Sequence, residues 1–393
     1  MKKMRQYLTL IAAALLVTAC SSDSLTDDKD DKGFEMPQLS DNPIRFSVAD
    51  SVAGTRAVNE ISAFNAGSEI GVFASYTGNL KYHLTTVSSN YMYNQKVTLS
   101  TSGNWEYEPI KYWPNNTDEY ISFFAYAPYE GTPSNTTCVM GFSPKDEKGD
   151  PWLVYQLAAD PAYQVDLLYG VNNAETPTPW YDQQKPAVGD KLKFYFKHAL
   201  ACVGDVINIK ISDALNEKLG NRNYAKVYIN KLTIKYTNLT EKAKLVLNSS
   251  ADPNWMAVVS GMITTTRTVT VPMSGVPDAL RGTTKTSAAE YQAYFTANSG
   301  ITDSGTEISS GKGLFYIPLQ VEPDPAQAVI TLDYQVINNA GSSYTGSAST
   351  SFDLNLNNVG KKQGITITLT ENFNLLHNVY ILGSGATEPS YSR

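Results

Sequence analysis

The stretch Ile44-Arg45-Phe46-Ser47-Val48 places an apolar side chain at every second position, with polar residues between them. Successive side chains of a β-strand point to opposite faces, so this alternation predicts a strand with one buried face. The residues that follow, 49–57, are small or polar and end in Arg56-Ala57. They predict an exposed loop with an accessible arginine directly after the strand.

Strand signals of the same kind fill the rest of the chain. Short apolar or alternating runs separated by Gly, Pro, Asn and Ser clusters predict strands at residues 69–74, 91–99, 120–126, 152–156, 191–196, 226–236, 244–247, 266–272, 314–319, 328–336, 351–356 and 363–369. A single helical turn is expected at residues 213–219. The spacing favours an all-β fold of sandwich type over a parallel α/β sheet. With 393 residues, the chain is expected to form two domains, residues 57–200 and 201–371.

Composition agrees with a β-rich fold and narrows the range of partners. The chain has 25 tyrosines, and only 18% of its residues are charged. Tyrosine is common in strands, where its ring packs across a pleated surface. The net charge of −7 argues against nucleic acid as a partner, because phosphate backbones bind to basic faces.

A further strand is predicted near the C-terminus, within residues 372–393. Apolar side chains again recur at every second position, although His377 interrupts them; they are Phe373, Leu375, Val379 and Ile381. An apolar strand at a chain end has to pair with another strand. It is either an ordinary edge strand of the second domain or a strand donated to another chain, and both readings stay open.

The first 19 residues predict a secretory signal peptide. Lys2, Lys3 and Arg5 precede a short apolar run that leads to Val17-Thr18-Ala19-Cys20. A cysteine directly after small residues is typical of a bacterial lipobox, in which Cys20 receives lipid and becomes the new N-terminus. Residues 20–43 are rich in aspartate and predict a disordered tether, with order beginning at Ile44.

Two cysteines follow Cys20 in the chain, Cys138 and Cys202. In an oxidising compartment they can form one disulfide; the alternative is two small buried hydrophobic residues.

The residues that support catalysis or metal binding do not form a recognisable constellation. The three histidines, His83, His198 and His377, lie in separate strand-like contexts without a second ligand at metal-binding spacing. Asp166 and His198 are therefore interpreted as structural residues. The glycines around residues 305–313 do not have phosphate-loop spacing. The sequence predicts no catalytic residue, no metal and no cofactor, and a protein that is not an enzyme.

A series of motifs resembles the Mfa-like fimbrillin family of Bacteroidales. Six of them occur in order behind the lipobox and the acidic leader: Gly54-Thr55-Arg56-Ala57, Glu69-Ile70-Gly71-Val72-Phe73-Ala74, Trp105 with Tyr112-Trp113-Pro114, Phe123-Phe124-Ala125-Tyr126-Ala127-Pro128-Tyr129, Asp166-Leu167-Leu168-Tyr169-Gly170, and Phe194-Tyr195-Phe196-Lys197-His198-Ala199-Leu200. The resemblance covers the first predicted domain well and the second only in its all-β character.

This resemblance implies two tandem β-sandwich domains of transthyretin-like type and a structural subunit of type V pili. It implies export to the outer membrane as a lipoprotein and a proteolytic cut between Arg56 and Ala57. The cut removes the lipid anchor and the strand that carries Ile44, Phe46 and Val48. The partners are then copies of the chain or other pilins, joined by strand exchange in an extracellular fimbrium.

Three alternatives to a shaft subunit stay open. The chain can be a tip or accessory adhesin of the same system that binds host or bacterial ligands. It can be a permanently anchored surface lipoprotein that binds glycans, for which an uncut Arg56 and exposed aromatic platforms are expected. An enzyme is the least favoured, because it needs a deep pocket with acids around His198 or Asp166.

Overall fold

Strands make up almost all of the regular structure in the computed structural model of the chain, which describes residues 35–49, 61, 63–134, 136–222, 224–258, 263–309, 313–319 and 324–382. Cys20, Arg56, Ala57, the predicted signal peptide and residues 383–393 lie outside the described residues.

The strands of the first part of the chain are β1 (Leu39–Pro43), β2 (Phe46–Val48), β3 (Glu69–Gly78), β4 (Met92–Leu99), β5 (Trp105–Glu106), β6 (Tyr112–Pro114), β7 (Tyr120–Ala127), β8 (Val139–Phe142), β9 (Trp152–Gln156), β10 (Leu168–Val171), β11 (Trp180–Gln183) and β12 (Leu192–His198). Those of the second part are β13 (Ala201–Ile211), β14 (Ala225–Thr240), β15 (Lys242–Val246), β16 (Asn254–Met256), β17 (Thr264–Thr270), β18 (Thr306–Ser309), β19 (Leu314–Tyr316), β20 (Gln327–Asn338), β21 (Ser343–Asp353), β22 (Lys362–Leu369) and β23 (Leu375–Ile381). The prediction of an all-β fold is confirmed.

Two α-helices occur among the described residues, α1 (Asp213–Arg222) and α2 (Ala288–Ala297). The predicted turn at residues 213–219 lies within α1. Helix α2 is not among the predicted elements, although Ser287 and Glu290 carry its start signal. The Ser287 hydroxyl accepts from the Glu290 N–H at 3.3 Å, and the Glu290 carboxylate accepts from the Ser287 N–H at 3.0 Å.

The first large sheet closes on itself through its strand pairings. Its order is β10-β12-β2-β5-β4-β3-β7-β11, and β10 also pairs with β7. The path β7-β10-β12-β2-β5-β4-β3 therefore returns to β7, and β2 is one link of this closed ring. The core inside the ring is strongly aromatic and includes Phe46, Phe123, Phe194 and Trp113.

The second part of the chain builds two further sheets. One has the order β18-β13-β22-β23, with β19 also paired to β13, and the other has the order β17-β14-β20-β21. Their long strands alternate buried and exposed residues, as in β20, where every second residue from Ala328 to Tyr334 is buried. This is the pattern expected of sheets that each have one face against a core.

Another four-stranded sheet, β16-β15-β9-β8, contains strands from both parts of the chain. Gln164 adds a second connection: its amide donates to the Gly313 carbonyl and accepts from the Phe315 N–H, the latter at 2.8 Å. From Pro37 onward the described chain forms one compact unit. The division into residues 57–200 and 201–371 stays a prediction.

Order begins earlier than predicted, because β1 precedes Ile44. This strand pairs with β6, the Ser40 hydroxyl donates to the Trp113 carbonyl at 2.9 Å, and the Asn42 amide donates to the Pro186 carbonyl at 3.1 Å. The sequence of β1 is polar, so its pairing depends on partners that are distant in the chain. The prediction that residues 20–43 form a tether is therefore wrong at its C-terminal end.

Cys138 and Cys202 are both thiols and do not form a disulfide with each other. Burial raises the pKa of the Cys138 thiol.

Neither of the helices in the described chain is long and apolar enough to cross a lipid bilayer.

Candidate functional site

The first candidate site is strand β2, which the sequence predicts directly after the acidic tether. One of its two edges is regularly hydrogen-bonded to a neighbouring strand. β2 runs parallel to β12, with Phe46 beside Leu192 and Val48 beside Phe194. The Leu192 N–H donates to the Arg45 carbonyl and the Ala49 N–H donates to the Phe194 carbonyl, both at 2.9 Å. Regular backbone hydrogen bonds therefore join β2 to β12 along its whole length.

The other edge of β2 is bonded more sparsely. Phe46 opposite Trp105 is the single residue pair between β2 and β5. Beyond it, the Ile44 N–H donates to the Lys111 carbonyl at 2.8 Å, and the Tyr107 hydroxyl donates to the Ile44 carbonyl at 2.9 Å. A cleft of about 680 Å³ opens here between the two segments.

Side chains from β2, and that of Ile44 two residues before it, fill the middle of the ring. Ile44 and Phe46 are each 1% exposed, and Val48 packs half-buried against the same core. The Phe46 ring lies 5.5 Å from Tyr107, 5.9 Å from Phe194 and 6.0 Å from Phe123, centroid to centroid. Removal of this segment exposes an aromatic pocket and the backbone edge of β12.

Tyr107 joins the pocket to the backbone of the segment. Its ring contacts Phe46, and its hydroxyl donates to the Ile44 carbonyl. Burial raises the pKa of the Tyr107 phenol, so the hydroxyl stays protonated and remains a donor at neutral pH. This role of Tyr107 is not among the predictions from the sequence, although the alternation of Trp105 and Tyr107 is a signal for an inward-facing aromatic pair.

The predicted cleavage bond between Arg56 and Ala57 lies outside the described residues, but the chain is described on both sides of it. On the far side, the Ile61 N–H donates to the Asp166 carboxylate at 3.1 Å. The same carboxylate oxygen lies 2.8 Å from Nδ1 of His198. Both side chains are nearly inaccessible, 1% for Asp166 and 10% for His198. The structure thus brings together two residues that the sequence analysis treated separately.

The candidate donor strand lies at an edge of its own sheet. β23 pairs antiparallel with β22, from Leu375 opposite Leu369 to Ile381 opposite Gln363. Leu375 is buried, while Val379 and Ile381 are half-buried. This is the edge-strand alternative of the sequence analysis.

Two residues of the candidate segment contact strands of the neighbouring sheet. Phe373 lies before β23 with a φ of 58°, in the left-handed region, and its ring stacks on Tyr334 at 5.3 Å. His377 faces β21, where Nδ1 lies 2.8 Å from the Thr350 hydroxyl and its ring lies 5.0 Å from that of Phe352. The apolar face of this segment is therefore partly covered by β21 and the adjacent β20.

The described residues contain no group of three or more His, Cys, Asp and Glu side chains that is arranged to hold a metal ion. The Asp166 carboxylate contacts His198 and the backbone of Ile61, and neither Asp166 nor His198 lines the cleft beside β2.

Comparison with known proteins identifies the family. A family model described as fimbrillin-like matches residues 55–383. The chain belongs to the fimbrillin-like family. This membership confirms the resemblance inferred from the sequence motifs, and it puts this fimbrillin-like chain among fimbrial structural and adhesion proteins rather than enzymes.

Two relatives add detail. Fimbrium subunit Fim1C of Phocaeicola vulgatus is 27% identical over 212 residues, which cover 53% of this chain and 52% of the relative. The fimbrillin-like chain therefore spans about half the length of that relative. The crystal structure of a fimbrial protein from Bacteroides vulgatus aligns with a TM-score of 0.57 and 18% identity, covering 87% of this chain and 99% of the other. This second similarity shows a shared fold.

Proposed function

We propose that this fimbrillin-like chain is the precursor of a structural pilus subunit that polymerises by strand exchange and mediates adhesion. Export as a lipoprotein brings the precursor to the outer membrane through lipid on Cys20. A cut after Arg56 then releases the lipid anchor together with β1 and β2. A strand from another subunit takes the vacated place, and the subunits form an extracellular fimbrium.

The observation that carries this proposal is the position of β2. It is a link in the closed ring, it contributes Phe46 to an aromatic pocket, and its sequence neighbours on the C-terminal side lead directly into the arginine loop. Burial of one large apolar side chain stabilises by roughly 1.5–3 kcal/mol. After β2 has left, a replacement strand gains this free energy by burying its own apolar side chain. It also pairs with the open backbone edge of β12.

The extent of the family match supports the same cut. The match begins at residue 55, two residues before the predicted bond, and excludes both β1 and β2. Segments upstream of a processing site are not part of the assembled subunit, so a family model of the shared body is expected to begin near this point.

The strand proposed to fill the vacated place in the next subunit is the C-terminal strand, residues 372–381. Apolar residues occupy every second position from Phe373 to Ile381 except His377, and the strand lies at a sheet edge with β22 as its one strand partner in that sheet. Its half-buried Val379 and Ile381 lose less packing on release than fully buried residues do. A contact in which one subunit donates and the next accepts does not close on itself and builds filaments.

Limited digestion of the purified precursor tests the cut. Intact mass is measured before and after treatment with trypsin and with an arginine-specific protease, and polymers are followed as ladders in mild denaturant. We expect a single early cut after Arg56, followed by ladders. R56A should block both proteases, whereas the matched variant R56K should block only the arginine-specific enzyme. A wild-type precursor that is cut after Arg56 and stays monomeric contradicts polymerisation of this chain by itself.

A synthetic peptide of residues 370–382 tests the donor. Added in excess to freshly cut protein, it should occupy the acceptor site, shorten the ladders and raise the melting temperature of the cut monomer. A scrambled peptide of the same composition is the control. Ladders of unchanged length with the specific peptide contradict the assignment of residues 372–381 as the donor.

The position of β23 supports a second candidate, a tip or accessory adhesin of the same system. A C-terminal strand that stays bonded to β22 is not donated, which is expected of a subunit that only accepts. Such a subunit, after the cut, binds the peptide of residues 370–382 but forms no ladders by itself. An uncut protein that binds glycans instead supports the permanently anchored lipoprotein.

A further inference from the structure

The short segment behind the cleavage loop is anchored to the body of the protein independently of β2. Ile61 and Phe64 both pack against the core of the closed ring. The Phe64 ring meets Trp105 edge-on at 5.5 Å and lies 5.2 Å from Phe196. Directly after it, the Gly67 N–H donates to the Leu99 carbonyl at 2.7 Å and leads the chain into β3. The core of the ring includes Phe46 of β2, but Trp105, Phe196 and Leu99 lie outside β1 and β2, so these contacts do not depend on β2.

Asp166 and His198 fix the other end of this segment. One buried carboxylate oxygen accepts from both the Ile61 N–H and His198 Nδ1. Hydrogen bonds to an ionised group are about twice as strong as neutral ones, and their strength increases when the group is shielded from water. We therefore expect Ile61 and Phe64 to keep their positions when the chain is cut upstream of them.

Phe64 lies at the end of β2 from which the chain enters the loop. Together with Trp105 and Leu99 it lines a second cleft, of about 490 Å³, beside Val48 and Ala49. Val48 is only half-buried, so the leaving strand fills this end of its site incompletely. A larger apolar side chain at the same place has additional apolar surface to contact.

We propose that Phe64, held in place by Asp166 and His198 through Ile61, is a fixed stop at one end of the acceptor site and selects a large apolar residue at the Val48 position of the incoming strand. This inference rests on the proposed function. The partner that fits is a strand of a second copy that carries an aromatic residue at the Phe46 position and leucine or larger two residues later.

The C-terminal strand offers one register that satisfies both positions. Phe373 is the one aromatic residue on its apolar face, and the Phe46 site is lined by three aromatic rings. With Phe373 in that site and the strand parallel to β12, Leu375 comes to the Val48 position. Leucine is one methylene larger than valine, and its side chain then contacts Phe64.

Peptide selectivity tests this assignment. Peptides of residues 370–382 with leucine or alanine at position 375 are titrated into full-length protein cut after Arg56. We expect about tenfold weaker binding of the alanine peptide, since loss of a buried leucine side chain costs at least about 1.4 kcal/mol. In F64A this difference should fall below about twofold. An Ile381→Ala peptide is the matched control, because its effect should be equal in wild type and F64A. Full discrimination at position 375 retained in F64A overturns the inference while strand exchange stands.

Hydrogen exchange of the segment supplies a readout that does not need a donor. The amide of Ile61 should stay protected after the cut in the wild type and lose protection in D166N, with D160N as the exposed control. If the Ile61 amide loses its protection when the wild type is cut, the proposal that Phe64 is a fixed stop is overturned. If the Ile61 amide stays protected but no peptide binds to the cut wild type, the proposal of strand exchange is contradicted. The anchoring of Ile61 is not contradicted by that result.

Discussion

The indole Nε1 of Trp255 donates to the carbonyl of Ala199 at 2.9 Å, in a buried contact between the β15–β16 hairpin and the turn from β12 to β13. The Trp255 ring also lies 6.3 Å from that of Tyr155 in β9. Three parts of the chain that are far apart in sequence therefore meet around one side chain, next to the sheet that both halves share.

From this contact we expect the uncut protein to unfold in one cooperative transition. A shared sheet gives neither half a complete set of strands by itself, so the halves lose structure together. Differential scanning calorimetry should give equal calorimetric and van't Hoff enthalpies. W255F should lower the free energy of unfolding by about 1–3 kcal/mol, because it leaves the Ala199 carbonyl buried without its donor. W152F, at a half-buried ring, is the control, and two separate transitions in the wild type contradict the prediction.

Truncation of Phe46 should destabilise the uncut protein strongly. F46A leaves a cavity among three aromatic rings, and substitutions of this kind cost about 3–5 kcal/mol. Urea unfolding measures the loss. V48A, at a half-buried position beside an open cleft, should cost clearly less. An equal effect of the two variants contradicts the assignment of Phe46 as the main anchor of the leaving segment.

Alkaline pH should destabilise the protein through its buried tyrosines. Burial raises the pKa of Tyr316 to about 12, and it raises those of Tyr155 and Tyr236 as well. The folded state thus holds these protons more tightly than the unfolded state, whose phenols titrate near 10. The stabilisation is complete below pH 10 and is lost as the pH rises from 10 to beyond 12. Tyrosinate absorbance should therefore appear together with unfolding; tyrosinate that forms fully while the protein stays folded contradicts this prediction.

Acid should loosen the C-terminal strand through His377. Burial lowers the pKa of this imidazole, which faces the neutral side chains of Thr350 and Phe352 on β21. The neutral form is favoured in the packed strand, so its contribution is complete above about pH 6.5 and is lost as the pH falls through the lower folded value. Hydrogen exchange of the β23 amides, corrected for intrinsic rates, should be faster at pH 5 than at pH 7.5. H377Q should remove most of the difference, and equal protection of the wild type at both pH values contradicts the mechanism.

Local patterns were sufficient to predict most strands and the inward face of the first one. The alternation of Ile44, Phe46 and Val48 predicted their burial, and this is confirmed for Ile44 and Phe46, whereas Val48 is half-buried against the same core. The predicted strand at residues 152–156 coincides with β9. Side-chain periodicity is a local property, and it depends on whether one face of an element meets a core.

Elements without periodicity were missed. β1 is polar and short, and it exists because β6 pairs with it; α2 is marked by its capping residues rather than by an apolar stripe. The start of β21 at Ser343, eight residues before the predicted strand, follows from its long pairing with β20. The strand β1 and the start of β21 depend on pairing with strands that a local sequence pattern does not identify.

By itself, then, the sequence determined the all-β character of this chain, the buried face of the strand before the arginine loop and the family to which the chain belongs. Only the tertiary structure decided that this strand closes a ring, that Asp166 and His198 meet at the backbone of Ile61, and that the C-terminal strand lies against its own sheet. The physical reason is that periodicity is encoded in neighbouring residues, whereas strand order and buried polar contacts arise between segments that meet only after the chain has folded.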